Sequence, residues 1–466
     1  MMKERLRRTK NKIITAIICA LFVTSAALTG CGAVVTADEI NAAGQAEGNA
    51  DAADFGQSDM SSALSDEQAN LMAEYDLMEA EDAAEVSATP DEDDVAQDES
   101  EGSAGGGNDV TIIMVGDMLM HTPVEKAAYD PDADKYNYDF IFANTIDDIQ
   151  AADIAIVNEE VIIGGEELGV SGYPGFNAPY ELGDDLVEAG FDVICHATNH
   201  ALDKGAKGIS SCTGYWNEKH PDIEMLGIHE SAEDADKMCI LEVNGIKIAV
   251  LNYTYGTNGI PLPADMLYAV DELSEEKVIA DLAKAEEAAD FTIVVPHWGT
   301  EYSLAVSASQ KKWAQIMTAN GADLIIGAHP HVIEPIEWVE ADGTDDKADA
   351  KCSALCYYSL GNYVNWTSGT GAGVAARMLG GMAQVTLTKD KNGEVYISHY
   401  GVEPLVCHVE SGRENVTVYR LSDYSEELGQ RNEIRAQDPA FSYEYVSDIA
   451  KDIWGDVTEG IDEEHR

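Results

Sequence analysis

From Val110 onward, short β-branched runs of four to six residues alternate with helix-like amphipathic stretches, and this alternation confines the chain to an α/β sheet architecture. Five of the runs share a further property: each is followed by side chains that ligate metals. Thr111 to Val115 leads into Asp117 and His121, and Ile154 to Val157 leads into Asn158, Glu159 and Glu160. Val193 to Cys195 is followed by Asn199, His200 and Asp203. Thr292 to Val295 is followed by His297, Trp298 and Glu301, and Leu324 to Ile326 by His329 and His331. Sites in open α/β sheets form outside the carboxyl ends of the strands, so five separate chain ends predict one convergent centre. Asp, Asn, Glu and His together suit a divalent Mn, Fe or Zn ion, and more than four candidates leave room for two ions.

The stretch from Ile325 to Pro335, IIGAHPHVIEP, is the most pointed of the five. In extended backbone the side-chain period is two, which would set His329 and His331 on one side, with Pro330 stiffening the chain between them. Gly327 would allow close approach. Helices are predicted at Glu181–Gly190, Glu275–Ala289 and Gln310–Asn320, the first and last closed by Gly190 and Gly321. Asn244-Gly245 predicts a hairpin within Ile240–Leu251, and Asp390–Gly393 joins a second pair, Gly381–Leu387 with Val395–His399. These pairs predict antiparallel additions at sheet edges or in a second layer. Gly369–Gly381 reads as a mobile loop or lid whose one cation is Arg377, and Asp423 onward as an acidic segment, helical or frayed, with no assigned role.

The ends of the chain carry different instructions. Met1–Lys12 is basic, Ile13–Ala27 is apolar, and Leu28-Thr29-Gly30-Cys31 follows, the layout of a secretory signal peptide over residues 1–31. The Leu-Thr-Gly-Cys ending resembles a bacterial lipoprotein lipobox, which implies a lipid on Cys31 and a place on the extracellular face of the cytoplasmic membrane. Residues 32–109 contain no Lys and, like the rest of that segment, no Arg; their acidic, small-residue composition predicts a disordered tether, with a marginal helix at Glu67–Ala80. The formal net charge of −58 exceeds what that tether supplies, so the folded part is acidic as well and repels nucleic acid. Cys352 and Cys356 are spaced to close a small loop, with free thiols at Cys195, Cys212, Cys239, Cys352, Cys356 and Cys407 as the other reading.

With these residues in hand, the stretches VGDMLMH, IVNEEV, ATNHALDKG, VVPHWGTEY, IIGAHPHVIEP and YYSLGNYV resemble, in order, the CapA family of bacterial poly-γ-glutamate capsule biosynthesis proteins. The resemblance covers about 110–366, with 367–422 as strands completing the domain and 423–466 as the acidic tail. It implies a four-layer α/β/β/α, metallophosphatase-like sandwich with mixed sheets and a site like that of calcineurin-type phosphoesterases. By motif position it implies Asp117, Glu160, Asn199, His297, His329 and His331 as ligands of one or two divalent ions. His200 would be the general acid, with Asp203 behind it and Asn158, Glu301 and Asn362 in support. Calcineurin-type enzymes open on Asp-x-His, whereas Asp117 is followed by Met118 and Leu119; Asn158-Glu159-Glu160 replaces an Asp, and Gly-Ala-His-Pro-His replaces Gly-His-x-His. Three functions follow as expectations: a hydrolase site within exopolymer synthesis or export, acting on an anionic polymer or a phosphoester; a non-catalytic holder of metal or polymer in such a complex; and a secreted phosphoesterase or nucleotidase.

Overall fold

The computed structural model describes residues 109–341 and 353–455. The expected signal peptide, Cys31, the tether with its helix at 67–80, and Cys352 lie outside the described residues. In chain order the strands begin with β1 (Asp109–Met118), β2 (Tyr129–Asp130), β3 (Lys135–Tyr136), β4 (Ile154–Glu159), β5 (Val193–Cys195), β6 (Glu224–Leu226), β7 (Cys239–Val243) and β8 (Ile246–Thr254). They continue with β9 (Phe291–His297), β10 (Leu324–Ile326), β11 (Ile336–Glu340), β12 (Ser353–Tyr357), β13 (Asn362–Val364), β14 (Leu379–Lys389), β15 (Val395–Val409) and β16 (Val416–Arg420). The helices are α1 (Thr122–Ala128), α2 (Asp139–Phe142), α3 (Ile146–Ala151), α4 (Tyr180–Ala189), α5 (Gly205–Lys219), α6 (Ala232–Ala235), α7 (Glu275–Ala288), α8 (Ala308–Ala319), α9 (Glu426–Arg431) and α10 (Tyr443–Trp454).

Two mixed sheets carry the fold. An eight-stranded sheet runs β16-β15-β14-β1-β4-β5-β6 with β13 beside β1, and a six-stranded sheet runs β11-β12-β10-β9-β8-β7. Alternate residues of the six-stranded sheet face different partners, which fixes its place between layers. Ile248, Val250, Ile293, Val295, Leu324, Ile326, Leu355 and Tyr357 join the apolar cluster built around β1 and β4. Leu251, Tyr253, Val294, Ile325, Ala354 and Cys356 join a second cluster with Val278 and Leu282 of α7 and Ala314 and Met317 of α8. Helices α3, α4 and α5 bury Ile149, Leu182, Leu186, Ile209 and Trp216 against the eight-stranded side. The result is the four-layer α/β/β/α arrangement that the resemblance implied, with the sheets stacked through one core.

The expected hairpins are both present. β7 pairs antiparallel with β8 around Asn244 and Gly245, both at positive φ, and β14 pairs antiparallel with β15. The first lies at an edge of the six-stranded sheet; the second extends the eight-stranded sheet from β1 through β14. Helix α8 begins two residues before its expected start because Ser307 and Gln310 form a reciprocal capping box.

Two segments differ from expectation. The stretch after Asp423, read as a helical or frayed acidic tail, is packed through residue 455: Phe441, Val446, Ala450 and Trp454 are buried, and Trp454 Nε1 donates to Glu334 O at 2.9 Å. Val446, Ala450 and Trp454 recur every four residues, the apolar stripe of an amphipathic helix that the surrounding acidity masked. The stretch read as a lid is likewise held. Val374, Ala375, Ala376 and Met378 are buried, and Gln437 Nε2 donates to the carbonyls of Thr367 and Gly369. Gly380 and Gly381 already belong to β14.

Candidate metal centre

The parallel order β1-β4-β5 in one sheet and β9-β10-β12 in the other brings the carboxyl ends of these strands together. Asp117 sits where β1 slips register against β4, a bulge that turns its side chain out of the ladder. Asp117 N donates to Gly361 O at 2.9 Å, just before β13 of the same sheet, and a Cβ on Gly116 would lie 1.9 Å from that oxygen. Gly327 has the same constraint, since a Cβ there would lie 2.1 Å from Tyr358 O. A second tie is Asn252, in the middle of apolar β8. Its Oδ1 accepts from Ala197 N at 2.7 Å and its Nδ2 donates to Val295 O at 2.9 Å, locking the loop after β5 onto β9.

The histidine pair is aimed differently from the sequence expectation. His329 and His331 have φ of 100° and 58°, left-handed rather than extended, so the two-residue period does not operate there. Each such non-glycine residue costs on the order of 1–3 kcal/mol and persists only where the surroundings impose it. Here His329 N donates to both Asp117 oxygens, at 3.3 and 3.2 Å, and Trp298 N donates to Ala328 O at 3.0 Å. The rings still converge, with centroids 5.8 Å apart, and His297 lies 4.8 Å from His329.

The structure brings together Asp117, Asn158, Glu160, Asn199, His297, His329, His331 and Asn362. Asp117 is fully engaged: Asn158 Nδ2 donates to it at 2.8 Å, and His331 Nδ1 lies 3.1 Å from its Oδ2. Asn362 Oδ1 is 3.0 Å from the same His331 nitrogen, so that nitrogen carries the proton and Nε2 is left toward Glu160 Oε1 at 3.7 Å. His297 Nε2 lies 2.9 Å from Asn199 Oδ1 and 3.8 Å from Glu160 Oε1. Glu160 is the opposite of Asp117: buried, with neither oxygen meeting a hydrogen-bond partner, while His329 Nδ1 is buried and unpartnered beside it.

A cation is what this donor set fits. Glu160, His297 and His329 form one group whose ligand atoms lie within 4.8 Å of each other, Asp117, Glu160 and His331 a second, and Glu301, His329 and His331 a third. Glu160 belongs to the first two of these groups. The titration behaviour agrees. Burial pushes Glu160 well up, and burial with the neighbouring imidazoles pushes His297 and His329 well down. Burial opposes charge on His331 too, but Glu160 and Asp117 outweigh it and hold the imidazolium up to about 10. The proton on His331 is the positive charge these acids keep when no cation neutralises them.

His200 lies at the edge of the cluster with Asp203, whose Oδ2 is 2.7 Å from His200 Nδ1 and also accepts from Phe176 N at 2.7 Å. Trp298 is a core residue, donating from Nε1 to Tyr358 O at 2.9 Å. Several neighbours were not singled out as site residues from sequence. Phe176 packs edge-on against His200 at 4.6 Å and against His121 at 5.2 Å; burial, then His331, His200 and Arg377, lower His121 to about 3. Tyr255 covers His329 at 4.6 Å and Tyr302 covers His331 at 5.8 Å. Phe176 lies in the irregular segment between β4 and α4, whereas Tyr255 directly follows β8 and Tyr302 closes the VVPHWGTEY stretch, at strand ends where only metal-ligating residue types stand out.

Among curated proteins, the capsule biosynthesis protein CapA of Bacillus anthracis is 27% identical over 269 residues, 55% of this chain and 61% of its own length. The PGA biosynthesis protein CapA of Bacillus subtilis (strain 168) is 35% identical over 196 residues, 39% of this chain and 45% of its own. The chain thus spans less than two thirds of either relative. Among solved structures, a putative 5'-nucleotidase from Staphylococcus aureus is 14% identical, covering 68% of this chain and 55% of its own, with a TM-score of 0.40. That score carries no argument about this chain. The profile of the family described as bacterial capsule synthesis protein PGA_cap matches residues 111–367, more than half of the 466 residues and every element of the cluster, and the chain belongs to that family.

Proposed function

We propose that this protein is a lipid-anchored hydrolase of capsule polymer synthesis or export, working on the outer face of the cytoplasmic membrane through a site that takes one or two divalent ions. The observation that carries the reading is Glu160: a buried carboxylate with no hydrogen-bond partner, 3.7 and 3.8 Å from two imidazole nitrogens. A buried charge of this kind is kept only against a cation. Asp117, Glu160, Asn199, His297, His329 and His331 are the residues to hold Mn, Fe or Zn. When bound, such an ion lowers the pKa of a water and polarises the bond under attack.

The chain's own residues supply the rest. Asn158 and the His329 N–H fix the Asp117 carboxylate, and Asn362 fixes the His331 ring. Asp203 holds the Nδ1 proton of His200, leaving Nε2 as the nitrogen that gives a proton to the departing group. Sequestration of the cluster by Tyr255, Tyr302 and Phe176 limits water around it. The acidic chain, with a formal net charge of −58, disfavours nucleic acid and makes a bound cation the means of admitting an anionic polymer or a phosphoester.

A second reading, a non-catalytic component that holds metal or polymer in the same complex, is favoured by the relatives' names, which describe biosynthesis. The deciding experiment uses the full-length protein. Bound metal is measured by mass spectrometry, and phosphomonoester, phosphodiester and γ-glutamyl substrates are assayed with and without Mn. Near-stoichiometric metal, lost in His329→Ala together with turnover of one substrate class, is expected. Metal without any turnover favours the second reading; wild-type protein that takes up no metal overturns both as metal sites.

A further inference from the structure

In a chain with 86 acidic and 28 basic residues, a guanidinium has carboxylates to choose from. Arg413 pairs with Asp130 and Glu414, Arg420 with Asp148 and Asp423, and Arg431 with Glu410 and Glu427, while Arg435 donates to the Gln430 carbonyl. Arg377 is the exception. Among the described residues no carboxylate lies in ion-pair range of it, and its Nε is buried without an acceptor. Glu301 acts on it through space only.

Its position is fixed rather than free. Arg377 sits in the tight turn Ala375–Met378, whose other residues are buried, and its carbonyl accepts from Asn362 Nδ2 at 2.9 Å. Asn362 is the residue that orients His331. The guanidinium lies on the Tyr302 ring, 3.3 Å from the centroid, and Tyr302 in turn lies against His331. Tyr302, Tyr255 and Tyr173 are exposed by 45%, 40% and 70%, each touching a site imidazole or, for Tyr173, the Phe176 ring beside His200. An aromatic rim thus surrounds the cluster with one cation built into it. A stacked guanidinium is pre-organised, and its fork matches a carboxylate or phosphate edge.

We propose that Arg377, laid on Tyr302, docks an oxyanion of the substrate, a carboxylate or a phosphate, separate from the group that meets the His–carboxylate cluster. This selects substrates carrying a second negative group, as every residue of an anionic polymer does. The inference rests on the cluster being the substrate centre, yet its test does not pass through catalysis or metal.

The test titrates full-length protein calorimetrically with two probes, a γ-linked glutamate tetramer and inorganic phosphate, while bound metal is measured in parallel. Wild type is expected to bind at least one probe, and Arg377→Gln to bind it about ten- to a hundredfold more weakly, the loss for one charge-assisted contact, with metal content unchanged. Arg377→Lys is expected to recover part of that affinity, because it restores charge without the fork. Tyr302→Leu removes an exposed ring, so it gives the same weakening even if Arg377→Gln folds poorly. The probe that loses affinity identifies the oxyanion. Equal binding by wild type and both variants, or binding of neither probe by wild type, overturns the proposal. A wild type without metal that still binds a probe through Arg377 overturns the metal reading and leaves this one standing.

Discussion

The protein buries histidines in two kinds of place, and the difference between them separates packing from chemistry. His196, directly after β5, accepts from Trp216 Nε1 at 3.2 Å, lies 3.7 Å from Cys212 Sγ and bonds the Glu159 backbone; burial lowers it to about 3, so it is neutral. His408, on β15, has Tyr424 OH 2.9 Å from one nitrogen and Glu410 Oε1 2.8 Å from the other. Both rings have partners on each side. In the cluster the accounts stay open: His329 Nδ1 and both Glu160 oxygens have no hydrogen-bond partner. Buried polar groups are normally paired, so unpaired ones that converge are held for something else.

The strongest way to break that contrast is Glu160→Gln. It keeps the shape and removes the carboxylate, so bound metal is expected to fall from near-stoichiometric to background. Mass spectrometry reads the effect. Unchanged metal content would show that the cluster is ordinary packing.

Glu125 sharpens the contrast, because its Oε1 is also buried and unpartnered although no imidazole faces it. Its other oxygen accepts from Tyr138 OH at 2.5 Å, and burial, opposed by that hydrogen bond, raises the carboxyl from 4.5 to about 8. The folded state therefore keeps a proton that the unfolded chain releases above about 4.5. Stability falls as pH rises from about 4.5 to about 8 and is level beyond it. Glu125→Gln removes this loss: no gain near pH 4.5 and about 3 kcal/mol near pH 7, at roughly 1.4 kcal/mol per pH unit. Chemical denaturation across that range measures it. A pH-independent effect would mean that Glu125 is ionised in the fold and belongs with Glu160.

Much of this was legible in the residues. Strands β5 and β10 match their apolar runs, and helices α4, α7 and α8 end within one residue of their expected ends, because local steric preferences dominate there. The convergence of Asp117, Glu160, Asn199, His297, His329 and His331 followed from one rule about parallel sheets. What escaped was what depends on distant partners. The left-handed turns at His329 and His331 are imposed by Asp117, more than two hundred residues earlier. The Tyr302–Arg377 stack joins two loops that no periodicity links, and α10 hid its buried stripe among acids.

Asp203 tests the contrast from the other side, as a buried acid inside the site whose interactions are complete. Its Oδ2 accepts from both Phe176 N–H and His200 Nδ1–H, each at 2.7 Å. Asp203→Asn can offer one carbonyl oxygen to both donors, so the fold and the metal are kept while the charge behind His200 is lost. Turnover is then expected to fall about ten- to a hundredfold, the usual cost of losing an outer-shell carboxylate. The loss should concentrate on substrates whose leaving group needs a proton and nearly vanish on a p-nitrophenyl ester, whose leaving group departs as a stable anion. An equal fall on both would make Asp203 a brace for the Phe176 loop and nothing more. A selective fall would show that pairing alone does not mark a residue as structural, and that the partner's task decides.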